Sequence, residues 1–531
     1  MAVALALRLV GLKWALPSDL HRYTYHPDEL FIIGAALTVI TPPFSLNPHF
    51  YNYGSFFIYL TALATFVASG YVSFAQHSMM LRTAFLSARL VSALLGTATV
   101  LVVLAAGTRY RNKAVGLLAS AILAIAPLHV QHSHFATVDV AATFWAALAV
   151  LCGLKLASGG SAGACVVGGL MAGLAAGTKY NAAMMFLPVA AGAALGSDRW
   201  FSTQALRRVC LCVGGAAAGF FISTPGALLW THEFSRGLLY EVAHSRTGHG
   251  FVFEGTGPGW LFHLRSTLWY GSGPPLMALA AIGLGLACAR LGTRTKGAIV
   301  LLVAFLPYYA WGSVSLVRFA RYLLPVFPVL AIFAADGVFT ICEALRKRGK
   351  CWSLCWGGLS LVAVFGVFLY TLSLDRLLVV QDPRDRAISW MRSEIPRGAS
   401  LAFPTVPWFY TVPVAPETTA LATAEHRYSM VLRGAEKEGW TILANVEEDF
   451  SGRLLDLRPD FVIVSDFEVL DRLRVRNRQT VEFMRRLRPG FRLVRVFAND
   501  VRLGGLKFCD SDRLPHDMKY VAPTIWVYSR R

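Results

Sequence analysis

The sequence predicts a polytopic α-helical membrane module followed by a soluble α/β or α+β domain. Three observations carry this reading. Of 531 residues, 55% are hydrophobic, and the mean hydropathy is +0.51, too apolar for a soluble globule. Apolar stretches recur from the N-terminus to about residue 374. From residue 376 onward the composition changes, with twenty-five basic and twenty acidic residues spread among short apolar runs. The expected division is 1–375 and 376–531.

Taken in order, segments suited to spanning helices lie at about 1–17, 86–108, 114–131, 139–156, 162–177, 181–196, 207–229, 260–289, 297–315, 321–342 and 353–374, about eleven in all. Several are shorter than the roughly twenty residues a straight span needs. The first carries Arg8 and Lys13 and lacks a small-x-small cleavage site, so it is expected to be a retained helix. One further stretch, Gly54 to Ala75, is expected to lie along the outer interface as a juxtamembrane helix anchored by Tyr51, Tyr53, Tyr59 and Tyr71.

Charge motivates that choice. Fourteen basic residues fall in five clusters between apolar segments: Arg109, Arg111 and Lys113; Lys155; Arg199, Arg207 and Arg208; Arg290, Arg294 and Lys296; and Arg346, Lys347, Arg348 and Lys350. With 54–75 kept out of the membrane all five lie on one side, the cytoplasmic side under the positive-inside rule. The formal charge of +19 is then a matter of topology, and nucleic acid is not an expected partner. The same placement sorts Asp19, Asp28, Glu29, Asp139, Glu233, Glu241, Glu254 and Asp375 to the outer side, eight of the eleven acids in residues 1–375. The long polar loops 18–85 and 230–259 are outer loops, where chemistry is expected.

In the tail, Arg384 to Glu394 reads as an amphipathic helix and Phe461 to Ser465 as a buried strand. There is no nucleotide-binding glycine loop in it and no internal repeat along the chain. Nine cysteines show no ligand spacing, and most sit in apolar segments as small hydrophobes.

The candidate site starts at His26-Pro27-Asp28-Glu29, past the first apolar segment. A carboxylate pair at a membrane surface is costly unless a cation or a chemical task holds it there. Helix capping accounts for one acid. Adjacent carboxylates also raise each other's pKa, which suits a general base taking a proton from a hydroxyl. Asp139 closes a polar turn, His132 to Asp139, as a cap or as a second carboxylate positioning an acceptor or a cation. Arg89, Lys179, Arg318 and Arg321 are expected at the outer boundary, against the inside bias of the other cations. Any one could snorkel to lipid headgroups. Four together suit an anionic headgroup, because a guanidinium fork matches phosphate oxygens. The loop Glu241 to Gly250 carries His244 and His249, which could contact sugar, phosphate or a divalent metal, although their spacing matches no helical ligand pair.

These residues resemble the integral-membrane glycosyltransferases of the GT-C fold, in the protein O-mannosyltransferase and aminoarabinose transferase branch. Asp28-Glu29 is similar to the Asp-Glu pair that opens the family's first outer loop, where the aspartate is taken as the base. Asn47 to Gly54, with His49 and Tyr53, resembles the motif before the second juxtamembrane helix, with Tyr53-Gly54 in place of Pro-Pro. Arg89-Leu90, Asp139 and Gly177 to Tyr180 resemble further family positions. The resemblance implies a polyprenyl-phosphate-linked sugar donor, an acceptor that is a lipid, a glycan or a protein, and transfer on the outer face of a bilayer, most simply a bacterial inner membrane. Asp28 would act as base, with the phosphate leaving toward Arg89, Lys179, Arg318 or Arg321. No organic cofactor is implied. A ligase or polymerase of lipid-linked glycans is a second expectation. A flippase is a third, which would call for inverted repeats and mid-membrane charges that the sequence lacks.

Overall fold

The computed structural model describes residues 1–69, 77–292, 296–417, 423–444 and 446–531. Tyr71 and Arg294 therefore lie outside the described residues. Two compact units emerge. The first comprises Met1–Leu12, Ile32–Thr247 and Pro258–Leu372, and the second Lys13–Phe31, Gly248–Gly257 and Ser373–Arg531.

The first unit is helical. In chain order it contains α1 (Ala2–Leu9), most of α2 (Glu29–Ile40), α3 (Phe56–Ser69), α4 (His77–Tyr110), α5 (Lys113–Ala124), α6 (Pro127–His132), α7 (Val138–Leu156), α8 (Ala162–Ala176), α9 (Phe186–Leu195) and α10 (Thr203–Ser223). Helices Thr231–Thr247, Pro274–Ala289, Lys296–Val314, Phe327–Arg346 and Lys350–Leu377 follow. Among the described residues, six helical stretches are long and apolar enough to cross a membrane: Leu81–Tyr110, Val138–Leu156, Thr203–Ser223, Lys296–Val314, Ala320–Arg346 and Lys350–Leu377. A bent pair, Gly259–Ser272 and Pro274–Ala289, raises the number to seven if it counts as one span. The protein is thus a multi-pass membrane protein.

Several expected spans differ in shape. The first helix is eight residues long, ending at Leu9 rather than near 17. The segment 114–131 breaks after Ala124, where Pro127 starts a new helix at a position that needs no amide hydrogen. The segment 260–289 bends by 116° at Gly273, whose φ of 79° only glycine adopts without strain. Two others begin as 3-10 turns, Tyr180–Met185 and Ala320–Val326.

Buried charge ties these helices together. Arg8, fully buried, donates to the Ala124 and Leu123 carbonyls at 3.1 and 3.3 Å, at the end of α5 where intrahelical donors run out. Arg111 and Arg290 converge on the fully buried Asp336 at 2.5 and 2.6 Å, and Arg111 reaches Glu343 at 2.6 Å. Arg208 donates to the carbonyl of Leu156, the last residue of α7 and next to Lys155. Basic clusters far apart in sequence therefore gather at common ends of the helices. On the α8–α10 contact, Gly169 and Gly173 face the Cys212 and Ala216 carbonyls with no room for a Cβ, the close approach that small residues permit between membrane helices.

The second unit contains a five-stranded mixed sheet in the order β2-β1-β3-β7-β4, where β1 is Ser400–Ala402, β2 Thr441–Leu443, β3 Phe461–Ser465, β4 Phe491–Phe497 and β7 Ile525–Arg530. A separate hairpin pairs β5 (Val501–Leu503) with β6 (Leu506–Cys509). β1 is parallel to β2 and β3, whereas β7 runs antiparallel to β3 and β4. Strand alternation sends Ile463 to one apolar cluster with Leu401 and Val527, and Val462 and Val464 to another with Ala402 and Phe483. A central strand covered on both faces reads as the continuous apolar run seen at 461–465. The amphipathic helix expected at 384–394 is Pro383–Glu394, capped by the Asp382 side chain.

Candidate active site

In the first unit α7 opens on Asp139, placed in the first turn by the polar segment before it. The carboxylate is 2% exposed, too buried to be stable without partners. Lys179, presented by the turn between α8 and the Tyr180–Met185 helix, reaches Asp139 Oδ1 with its Nζ at 2.5 Å. Arg321, on the Ala320–Val326 turn, brings Nε within 3.9 Å of Oδ2. Lys179 and Arg321 thus share one buried carboxylate. Aromatic faces flank them: Lys179 Nζ lies 4.2 Å from the Tyr322 ring centroid, and the Arg321 guanidinium 4.1 Å from that of Phe319.

Beside Lys179 lies a cleft of about 230 Å³. Its lining includes Tyr53, Lys179, Tyr180, Glu241, His244, Trp311 and Tyr322. Asn52 donates to Glu241 at 3.2 Å, and the Tyr180 hydroxyl donates to the Tyr51 and Tyr53 carbonyls at 2.9 and 3.0 Å. Burial, with the Arg321 charge as a smaller cause, pushes the His244 imidazole below its ordinary value, so it is neutral at pH 7. The cleft thus combines the Lys179 ammonium, aromatic walls, the Glu241 carboxylate and neutral polar groups, a set suited to a phosphate attached to a polyhydroxylated group.

The neighbouring motif is held by its own asparagine. Asn47 Oδ1 accepts from the His49 amide and the Tyr51 hydroxyl, both at 3.0 Å. His49 itself is exposed and pairs with Glu233 at 2.9 Å. Arg89 is fully buried and donates to the Leu12 carbonyl at 3.0 Å. Arg318 is half-buried, with Nε donating to the Ser315 carbonyl at 3.1 Å.

In the second unit, Asp28 and Glu29 stand at the start of α2. The Asp28 amide donates to His26 Nδ1 at 3.3 Å; Asp28 is half-buried and Glu29 fully buried. The loop that carries them is fastened within this unit: Arg22 N donates to the Pro416 carbonyl, the Tyr25 hydroxyl to Asp385, and His26 meets the Tyr520 ring edge-on. Burial raises the Asp385 carboxyl and lowers the His21 imidazole that faces it. His249 also belongs to the second unit.

The structure therefore gathers Asp139, Lys179 and Arg321, and sets Tyr53 and His244 on the cleft beside Lys179. It gives His49, Arg89 and Arg318 other partners. Among the described residues no three His, Cys, Asp or Glu side chains converge on a metal position. Sequence reasoning did not single out Tyr322 or Trp311, and it took in Tyr180 and Asn52 only as members of the motifs 177–180 and 47–54. Tyr322 has one signal, adjacency to the cation Arg321.

Residues 71–225 match the family described as dolichyl-phosphate-mannose-protein mannosyltransferase. No curated protein sequence matches the chain. Among solved structures, the Archaeoglobus fulgidus oligosaccharyltransferase in its apo form aligns with a TM-score of 0.50 at 15% identity, over 89% of this chain and 70% of that one. ArnT from Cupriavidus metallidurans, bound to undecaprenyl phosphate, aligns with a TM-score of 0.49 at 13% identity, over 99% of this chain and 96% of that one. The likeness to the archaeal enzyme is one of fold, the GT-C architecture expected from the sequence.

Proposed function

We propose that this protein is a glycosyltransferase that moves a hexose or pentose from a polyprenyl-phosphate carrier to an acceptor hydroxyl at the extracytoplasmic face of a membrane. The observation that carries the reading is the buried Asp139, Lys179 and Arg321 trio, whose Lys179 lines an aromatic cleft, so that fixed cations stand where a phosphate can be received. The family match over 71–225, which takes in two of these three residues, supports a lipid-phosphate sugar donor.

Asp28 takes the proton from the acceptor hydroxyl as its oxygen attacks the anomeric carbon. The bond from that carbon to the carrier oxygen breaks, and its electron pair leaves with the phosphate. Lys179 and Arg321 stabilise the charge that grows there, and being already fixed by Asp139 they need no reorganisation. Asp139, buried and held between two cations, is a positioning residue. Glu29 supports the Asp28 turn, Arg318 and Arg89 support the cationic side, and Tyr53, His49 and His244 border the donor sugar. A second cleft of about 250 Å³ in the first unit, walled by Leu276, Ala280, Phe305 and Leu330, offers the polyprenyl chain an apolar bed. The gathering of basic clusters at common helix ends supports a cytoplasmic face there, as in a bacterial inner membrane.

The test is release of polyprenyl phosphate from an undecaprenyl-phosphate-linked sugar by purified protein, with membrane extract supplying the acceptor. Asp28→Asn is expected to lose turnover by at least about 100-fold, at the low end of what a general base contributes, with carrier binding retained. Retention of most of the turnover would exclude Asp28 as the base.

A further inference from the structure

The second unit contains a cleft of about 490 Å³, within the range of about 300–1,000 Å³ typical of small-molecule sites. Its walls come from the loop Gly248–Gly257, the segment 405–411, the start of the helix Ala424–Glu438 and the helix Asp466–Arg474. The loop is pinned there: Arg474 donates to the Phe251 and Val252 carbonyls at 2.7 and 2.9 Å, and the Arg472 guanidinium lies 4.7 Å from the Phe251 ring centroid. Of the two histidines in the polar loop noted in the sequence, His249 lines this cleft.

Two properties of the lining select a ligand class. The first is flat aromatic surface with polar edges. Tyr410 and Phe467 stack at 4.6 Å between centroids, and Trp408 is held by the Arg427 guanidinium at 4.4 Å. Such faces receive the C–H face of a sugar ring while nearby polar groups take its hydroxyls.

The second is charge balance. Arg472 pairs with Glu448, and Asp471 with Arg474 at 2.6 Å and His516 at 3.5 Å. Glu468, held by Thr405 and the Ser465 amide, is pushed up to about 7 by burial and adds at most one negative charge. Arg427 adds one positive charge, which Glu468 offsets once ionised, so the lining gathers no cluster of cations for a phosphate or carboxylate. We propose that this cleft is a binding site for an uncharged saccharide, with Trp408 and Tyr410 as stacking platforms and Arg427, Glu468 and Thr405 as partners for ring hydroxyls. Binding here requires no transfer chemistry, so it and the proposed activity can fail separately.

The test is saturation-transfer NMR on the full-length protein in a detergent without a sugar headgroup, using methyl glycosides of glucose, mannose, galactose and N-acetylglucosamine, then maltose and cellobiose. At least one should give a saturable signal. That signal should weaken about tenfold in Trp408→Ala, the scale of one aromatic contact, and in the cleft-filling Ala424→Trp, which removes no contact. Lys179→Met should leave it unchanged, and inorganic phosphate should not compete. The proposal is overturned if no sugar in the panel saturates, if phosphate displaces the bound sugar, or if folded Ala424→Trp binds as the parent does.

Discussion

The guanidinium of Arg384 lies 3.7 Å from the centroid of the Tyr25 ring, and both side chains are fully buried. Arg384 also forks Asp382, with Nε to Oδ1 at 2.8 Å and Nη2 to Oδ2 at 2.7 Å, and donates to the Phe409 and Tyr520 carbonyls. One residue of the tail thereby seats the loop that leads to Asp28. Arg384→Met would leave Asp382 buried without its counter-charge, at a cost of about 3–5 kcal/mol. The expected result is a large fall in Tm, with earlier proteolytic cutting in residues 13–31. Arg384→Lys, which cannot fork, should restore little of it. Unchanged cutting in Arg384→Met would remove the residue from this role.

In the other unit, Asp139→Asn strands Lys179 and Arg321 together. We expect a loss of about 3–5 kcal/mol, with part recovered in the double substitution Asp139→Asn, Lys179→Met. Thermal melts of the single and double variants form a cycle that reads the coupling directly. Additive losses would mean that the contact contributes no coupling.

Lys179→Met alone should act on the donor. It removes a charge that helps bind the carrier phosphate and also meets the departing one, so both KM and kcat are expected to worsen. A variant with unaltered kinetics on an undecaprenyl-linked donor would place the phosphate elsewhere.

Stability of the second unit should depend on pH through Glu468. Its carboxyl titrates at about 7 when folded, raised chiefly by burial, against 4.5 for a free glutamate. The unfolded chain therefore gives up this proton first. Stability is full below about pH 4.5, falls as pH rises to about 7 and is level above, by at most about 3 kcal/mol. Hydrogen exchange in β3 at pH 5 and pH 8 should show the difference, and Glu468→Gln should flatten it.

The apolar cleft makes a claim about chain length. Ala280→Trp is expected to raise KM for a long polyprenyl donor and to spare a short, water-soluble analogue of the same sugar. Equal effects on both would argue against a lipid in that cleft. The mass of the product with the long donor distinguishes addition of one sugar from transfer of a whole glycan.

Much of this architecture was legible in the sequence. β3 stood out because an apolar run lies between Asp460 and Asp466, α7 because Asp139 marks its start, and α8 because of the apolar run 162–177. The turn at Gly273 carries a local signal, Gly271-Ser272-Gly273-Pro274-Pro275, that a reading by hydropathy passes over because hydropathy does not register direction. The short α1 was hidden for a related reason: Leu12, Trp14 and Leu16 remain apolar and buried, although the chain passes into the second unit at Lys13. Within the site, Asp139, Lys179 and Arg321 were conspicuous because charge is rare in such segments. Tyr322 and Trp311 were not, because aromatic residues are common in membrane helices and only their tertiary neighbours distinguish them.

The socket around Tyr25 also bears on how such a protein can change over generations. A replacement tail brought in by recombination would have to reproduce the seat for Tyr25, so the two ends of the chain are obliged to drift together even though hundreds of positions separate them.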